Sequence, residues 1–219
     1  MACWSAENAT KAYLKTLKMG QKAREPDVAE FISALAAGSN AQLIVVACAG
    51  AADSTTLALA AAAYQTGGRV VCILRGLEEL RLSEEVLGAV DASNVEFVTG
   101  EARKLVLTQY READFVLIDC NLENHEGIFK AVQAVRKQSG VVVVGYNAFS
   151  KESWWCSGGR TQWLPIGEGL LVTRIARTAE IGGSGCGIGK SHWVVKVDKF
   201  TGEEHVFRVR FPQGKQIEA

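Results

Sequence analysis

Short apolar runs rich in β-branched residues alternate along this chain with segments whose apolar residues recur at helical spacing. The runs are typical of strands buried on both faces, and the longer spacing predicts helices between them. This alternation predicts an α/β fold in which a mostly parallel sheet is covered by crossover helices. Strands are predicted at 41–48, 69–74, 95–99, 114–118 and 140–147, and helices from Ser5, over 26–38, 57–64, 83–90 and 124–138, and after Gly100.

The pattern changes after the fifth strand. Residues 161–176 resemble two strands joined at Ile166–Gly169, which predicts an antiparallel edge on the sheet. A glycine-rich stretch at 182–189 predicts a flexible linker, and two alternating runs beyond it predict a β-hairpin. The expected organisation is an α/β domain over 1–181 (with an N-terminal helix in 1–24), a linker over 182–189 and a hairpin tail over 190–219.

Composition narrows the class of protein. The 219 residues include 24 basic and 24 acidic side chains, so the formal charge is zero, which argues against a nucleic acid as the main partner. No apolar run approaches the roughly 20 residues of a membrane helix, and the N-terminus lacks the apolar core of a secretory signal. Six scattered cysteines form no metal-binding or paired motif, which indicates a reducing compartment. We expect a cytoplasmic protein without a membrane partner, with the nucleus also compatible.

The fourth predicted strand ends abruptly at Asp119. Ligands of open α/β sheets bind at the carboxyl ends of central strands, so Asp119 is a candidate functional residue. His125 follows closely and could transfer a proton. The alternatives are that Asp119 caps the turn and that His125 lies on the surface near a helix start.

The turn after the first strand, AGAADSTT, is built mainly from small residues. A strand, a small-residue turn and a helix form the layout in which backbone approaches a ligand at a helix N-terminus. The spacing matches neither of the common glycine-rich nucleotide motifs, so an ordinary tight turn explains it equally well.

Six stretches in order resemble the class I S-adenosylmethionine (SAM)-dependent methyltransferases, especially the catechol and caffeoyl-CoA O-methyltransferases. They are PDVAEFISALAAG, GRVVCI, VEFVTGEA, ADFVLIDCNLENH, GVVVVGYN and LPIGEGLLVTR, between Pro26 and Arg177. The whole chain, including SHWVVKVDKFTGEEHVFR, resembles a plant family of unknown function described as candidate methyltransferases more closely still. The resemblance implies a three-layer, Rossmann-like fold with a seven-stranded sheet, and a homodimer.

The resemblance also implies a cofactor site around the first turn. Gly50 and Ser54 match two glycines that wrap the methionine part of the cofactor, and Thr56 matches a serine. Cys48 stands where those enzymes carry an acid. Asp53 could replace that acid, and it could equally be the N-cap of the next helix.

Further cofactor positions follow from the same resemblance. Leu74 stands where the enzymes carry the acid that binds both ribose hydroxyls, and losing that acceptor costs affinity. Glu101, with Ala102 beside it, matches a position that often contacts adenine, although a first-turn carboxylate also favours its own helix. Asp119 completes the implied pocket.

The metal site of the related enzymes is incomplete here. They bind Mg²⁺ through an aspartate matching Asp119 and an Asp-Asn pair, for which this chain has Asn147 and Ala148. Mg²⁺ prefers several hard oxygen ligands including carboxylates, so we expect no metal. Asn147, Trp154 and Trp155 are instead expected to contact a small-molecule ligand, which could be aromatic, and burial in a dimer contact is the alternative for the two tryptophans.

Three functional hypotheses follow. The first is a metal-independent, SAM-dependent small-molecule methyltransferase with a degenerate cofactor and metal site, which works by aligning donor and acceptor. The second is a methyltransferase-like scaffold that has lost catalysis and serves in binding or regulation. The third is cofactor-free chemistry on an aromatic metabolite in a repurposed pocket, with Asp119, His125, Trp154 and Trp155 as candidate groups.

Overall fold

A computed structural model describes residues 4–19, 27–87, 95–135, 140–149, 161–175, 191–197 and 204–210. Two compact units are present, Met1–Ala179 and Glu180–Ala219. The predicted linker, 182–189, lies outside the described residues, so its role stays a prediction. No helix in the described part of the chain is long and apolar enough to cross a membrane.

The first unit is built on a seven-stranded sheet. Its spatial order is β3-β2-β1-β4-β5-β7-β6, in which the first five strands run parallel and the last two pair antiparallel. This confirms the predicted sheet with an antiparallel edge. The strands are β1 (Leu43–Ala47), β2 (Arg69–Leu74), β3 (Val95–Thr99), β4 (Phe115–Asp119), β5 (Val141–Tyr146), β6 (Thr161–Leu164) and β7 (Leu170–Ile175).

Helices cover both faces of this sheet. Because successive side chains of a strand point to opposite faces, β1 sends Ile44 and Val46 into one core cluster and Val45 and Ala47 into another. The first cluster lies beneath α1, α2 and α3, and the second beneath α5 and α6, which gives three layers. The helices are α1 (Ala6–Met19), α2 (Val28–Gly38), α3 (Ser54–Thr66), α4 (Leu77–Leu87), α5 (Ala102–Thr108) and α6 (His125–Val135).

Helix α4 begins six residues before the predicted start at Ser83. The amide of Leu80 donates to the carbonyl of Gly76, and Glu78 and Glu79 suit the positive end of the helix dipole. Ser83 is therefore inside the helix, where its hydroxyl donates to the carbonyl of Glu79 at 2.6 Å instead of capping a start.

The second unit contains an antiparallel pair, β8 (Ser191–Val197) and β9 (Glu204–Arg210). This confirms the predicted hairpin strands.

Candidate functional site

A cavity of about 260 Å³ opens at the carboxyl ends of β1, β2 and β3. It also borders the start of α5 and the loop that joins β4 to α6. This is the sheet edge where α/β proteins bind ligands. We call it the strand-end cavity, and its lining residues are Cys48, Ile73, Leu74, Arg75, Gly100, Glu101, Ala102, Arg103, Leu122, Glu123, Asn124 and Ile128.

The strand-end cavity combines an apolar floor with a charged rim. Ile73 and Leu74 end β2 and are fully or almost fully buried, and Ile128 of α6 is also buried. An apolar surface of this kind suits a flat base more than a polar group. The rim carries two guanidinium groups and two carboxylates, from Arg75, Arg103, Glu101 and Glu123.

Gly100 shapes the wall of the cavity between β3 and α5. Its φ of +154° lies outside the range that L side chains readily adopt, which explains the glycine. Its amide donates to the carbonyl of Leu74 at 2.9 Å, and this bond ties the ends of β2 and β3 together. The next residue, Glu101, is the N-cap of α5 but makes no side-chain capping bond in the described chain. Its exposed carboxylate is therefore available to a ligand.

Asp119 occupies a different environment from the cavity. Its carboxylate accepts hydrogen bonds from the Ala49 amide (3.4 Å), the Asn121 amide (3.0 Å) and the Asn147 side-chain amide (3.0 Å). We call this group the Asp119 latch. Asp119 is only 7 % exposed and is not among the residues that line the strand-end cavity. The latch joins the loops that follow β1, β4 and β5.

The first turn is closed by Asp53, the N-cap of α3. Its carboxylate accepts from the Thr55 amide at 2.9 Å and from the Thr55 hydroxyl at 2.6 Å. Ser54 is exposed, whereas Thr56 is fully buried. At Gly50, a Cβ atom added to the backbone would meet no atom of the described residues within 4 Å.

Buried ionisable groups lie beneath the first turn. The thiols of Cys48 and Cys72 are 3.3 Å apart, and both residues are buried. The hydrogen bond to Cys72 and burial raise the pKa of Cys48, so its thiol stays protonated at neutral pH and is a poor nucleophile. Burial and the nearby carboxylates of Asp53 and Asp119 raise the pKa of the Tyr146 phenol.

His125 is the first residue of α6 and is buried against the preceding loop. Its Nδ1 lies 2.7 Å from the carbonyl oxygen of Leu122. Because a carbonyl only accepts, Nδ1 carries the proton in this contact. His125 is thus bonded to Leu122, which lines the cavity, and is not itself one of the lining residues.

The structure brings only part of the predicted site together. Leu74, Glu101 and Ala102 line the strand-end cavity, while Asp119 and Asn147 form the latch. Trp154 and Trp155 lie outside the described residues. Sequence reasoning did not select the rim residues Arg103 and Glu123, whose only signal is a charged position at a helix start or loop. Among the described residues, no cluster of three or more His, Cys, Asp or Glu side chains could hold a metal ion.

Comparisons with known proteins place the fold among methyltransferases. A family model described as "Protein of unknown function (DUF1442)" matches residues 1–209. A methyltransferase from Geobacter sulfurreducens is 18 % identical, with a TM-score of 0.53 over 80 % of this chain and 91 % of that one. No curated protein matches significantly.

Two further solved structures share the fold. A candidate caffeoyl-CoA O-methyltransferase from Staphylococcus aureus is 14 % identical, with a TM-score of 0.54 over 78 % of this chain and 92 % of that one. The O-methyltransferase TomG from Streptomyces achromogenes, involved in tomaymycin synthesis and solved with SAM, is 17 % identical. Its TM-score is 0.53 over 80 % of this chain and 92 % of that one. At these identities the likeness establishes the fold alone.

Proposed function

The chain belongs to the DUF1442 family of proteins of unknown function, and we propose that it is a SAM-dependent methyltransferase that acts on small molecules without a metal. The observation that carries this proposal is the position of the strand-end cavity, at the carboxyl ends of β1, β2 and β3. Open α/β sheets bind nucleoside cofactors at this edge. The cofactor would supply an electrophilic methyl group carried on a sulfonium sulfur.

The residues of the strand-end cavity fit an adenosine group at all but one position. Ile73 and Ile128 provide an apolar bed for the base, and the uncapped Glu101 carboxylate can accept hydrogen bonds from it. The space at Gly50, where an added Cβ meets no described atom within 4 Å, leaves room for the remainder of the cofactor. The exception is Leu74, whose side chain cannot accept a hydrogen bond from the ribose hydroxyls.

Asp119 and His125 act in this proposal as positioning residues. The carboxylate of Asp119 holds the loops after β1 and β5, and His125 is bonded to the loop residue Leu122, which lines the cavity. Together they would fix the wall of the cofactor pocket. Ser54, exposed at the start of α3, would contact the cofactor from the side of the first turn, whereas the buried Thr56 would support that turn from within.

An exposed aromatic pair supports a flat, aromatic acceptor. The rings of Phe149, just after β5, and Trp163, on β6, are 5.4 Å apart in an edge-to-face arrangement. They are 51 % and 43 % exposed, respectively, which leaves aromatic surface available at the sheet edge. A contribution from Trp154 and Trp155, a homodimer and a cytoplasmic location remain part of the proposal.

A non-catalytic scaffold is the second candidate. Leu74 in place of a ribose-binding acid favours it, as does the carboxylate of Asp119, which is already engaged by three protein donors. In that case the sheet edge would serve in binding or regulation without methyl transfer.

Isothermal titration with SAM and S-adenosylhomocysteine tests the proposal. We expect micromolar binding to the full-length chain, lowered stepwise in Gly50→Ala and Gly50→Leu, because the added side chain would enter the space of the ligand and its Cβ meets no described atom within 4 Å. Circular dichroism checks that both variants remain folded. No heat with millimolar ligand and folded protein would refute cofactor binding and favour the scaffold.

A further inference from the structure

Two arginines on the rim of the strand-end cavity have no part in the proposed methyl transfer. Arg75 directly follows β2 and is 63 % exposed, with one ion pair to Glu79 at 3.4 Å. A long, exposed pair of this kind is weak, so most of the five guanidinium donors stay available. Arg103 makes no ion pair with any carboxylate of the described residues.

Leu74 and Arg75 together change what the end of β2 can recognise. A carboxylate at this point of a nucleotide-binding sheet accepts from the ribose hydroxyls, whereas a nearby arginine accommodates a phosphate on the ribose. Here the apolar Leu74 is fully buried, and the next residue, Arg75, lines the cavity with an exposed side chain. The end of β2 thus lacks an acceptor for a free diol but presents donors to an anion.

We propose that the strand-end cavity binds a ribonucleoside that carries a phosphate on the 2′ or 3′ oxygen of its ribose. Arg75 holds the phosphate at the end of β2, and Arg103 adds a second positive charge on the same rim. The base lies on Ile73 and Ile128, near the Glu101 carboxylate. Guanidinium groups suit this task because their planar donors match phosphate oxygens in pairs.

Because of the charges on the rim, we expect binding to depend on contacts with the base as well as with the phosphate. Two arginines and the two carboxylates of Glu101 and Glu123 give a formal sum of zero, so the rim does not attract anions in general. We therefore expect inorganic phosphate alone to bind poorly. The inference uses the cavity of the proposed function but needs no methyl transfer, and such a nucleotide would compete with S-adenosylhomocysteine.

Titration of the full-length chain with adenosine and its three monophosphate isomers tests the inference. We expect the 2′ or the 3′ isomer to bind at least about tenfold more tightly than adenosine and than the 5′ isomer, since a charge-assisted contact adds that much. The 2′ and 3′ arms show which oxygen carries the phosphate. Inorganic phosphate is the control for simple anion binding.

Arginine substitutions test whether the tighter binding of the 2′ or 3′ monophosphate depends on the rim of the cavity. Arg75→Ala should remove the tenfold gain, and Arg103→Ala should reduce it. Arg81→Ala is the matched control, because Arg81 is similarly exposed and pairs with Glu78 at the same 3.4 Å distance but does not line the cavity. We expect it to bind like the unmodified chain.

Three results would overturn the inference: equal affinity for all three isomers and adenosine, no binding of any isomer to the folded chain, or an unchanged gain in Arg75→Ala. Its failure is separable from that of the proposed function. Binding of S-adenosylhomocysteine without a preference for ribose phosphates refutes only the inference. An Arg75-dependent preference without S-adenosylhomocysteine binding refutes only the SAM-dependent proposal.

Discussion

Two acidic residues lie at the carboxyl ends of strands, Asp119 as the last residue of β4 and Glu101 just after β3, yet they face different environments. Asp119 is buried, and three protein donors occupy its carboxylate. Glu101 is exposed on the rim of the strand-end cavity and makes no capping bond in the described chain. Position at a strand end therefore does not distinguish an acid that holds the fold from one that can meet a ligand.

The difference comes from the neighbouring strands. Asp119 lies at the end of β4, between β1 and β5, so loops on both sides can supply donors. Glu101 follows β3, the outermost strand of the sheet, which pairs only with β2 in the part of the chain that the structure describes. An acid at the end of a central strand can therefore be bonded by the loops on both sides, whereas an acid after the outermost strand is left facing the strand-end cavity.

Removing the latch carboxylate should have the largest effect on stability. Asp119→Ala leaves the Ala49 and Asn121 amides and the Asn147 side chain without their acceptor, so we expect a loss of about 3 kcal/mol in the free energy of unfolding. Urea denaturation measures it. Glu101→Ala is the control, for which we expect a change within about 0.5 kcal/mol. Equal losses in the two variants would remove the distinction between them.

High pH should lower the free energy of unfolding through the buried thiol of Cys48. The raised pKa of Cys48 keeps its proton on the folded chain, whereas the unfolded thiol ionises above about pH 8.5. The stabilisation is complete below that pH and is lost as the pH rises, by about 2 kcal/mol between pH 8.5 and 10. Urea denaturation at both pH values checks this, and Cys48→Ala should show a smaller loss. An identical pH dependence in this variant would contradict the assignment.

Substitutions at Asn147 distinguish the contribution of its hydrogen bond to the Asp119 latch from that of its backbone conformation. Its φ of +58° is left-handed, and its side chain donates to Asp119. We expect Asn147→Ala to lose about 1–2 kcal/mol, from the missing bond and the strained backbone. Asn147→Gly should be more stable than Asn147→Ala because glycine adopts this conformation freely. Equal stability of the two variants in thermal or urea denaturation would show that the hydrogen bond alone matters, and the reverse order would contradict the role of the left-handed backbone.

The smallest effect is expected on the cavity side. Glu79→Gln removes the partner of Arg75, but this ion pair is long and its arginine is exposed. Such pairs contribute little, so the free energy of unfolding should change by less than about 0.5 kcal/mol. A loss above about 1 kcal/mol, measured with urea, would show that Arg75 is a structural residue.

The fold could be predicted from sequence because its signals are local. The β-branched runs of β1, β2 and β5 and the intervening helical spacing identify a parallel sheet without any tertiary information. The predicted start of α4 at Ser83 was wrong, because the helix begins at Leu77 and the Ser83 hydroxyl donates back to the Glu79 carbonyl. A local pattern cannot tell whether a serine hydroxyl bonds forward to a helix start or back to a carbonyl.

The site could be predicted only in part, because its contacts are distant in sequence. Asp119 receives donors from Ala49 and Asn147, which lie 70 and 28 residues away. The position of Asp119 at a strand end could be predicted from sequence, but the hydrogen bonds that its carboxylate accepts could not. Arg103 joins the cavity only because Gly100 turns the chain from β3 into α5.

The most direct test of a cofactor site in the strand-end cavity is titration with S-adenosylhomocysteine after the cavity has been filled. Ala102 lines the cavity, whereas Ala134 is exposed on α6 away from it, so Ala102→Phe and Ala134→Phe form a matched pair. We predict micromolar binding to the unmodified chain and to Ala134→Phe, and none to folded Ala102→Phe. Unchanged binding to Ala102→Phe would contradict the account.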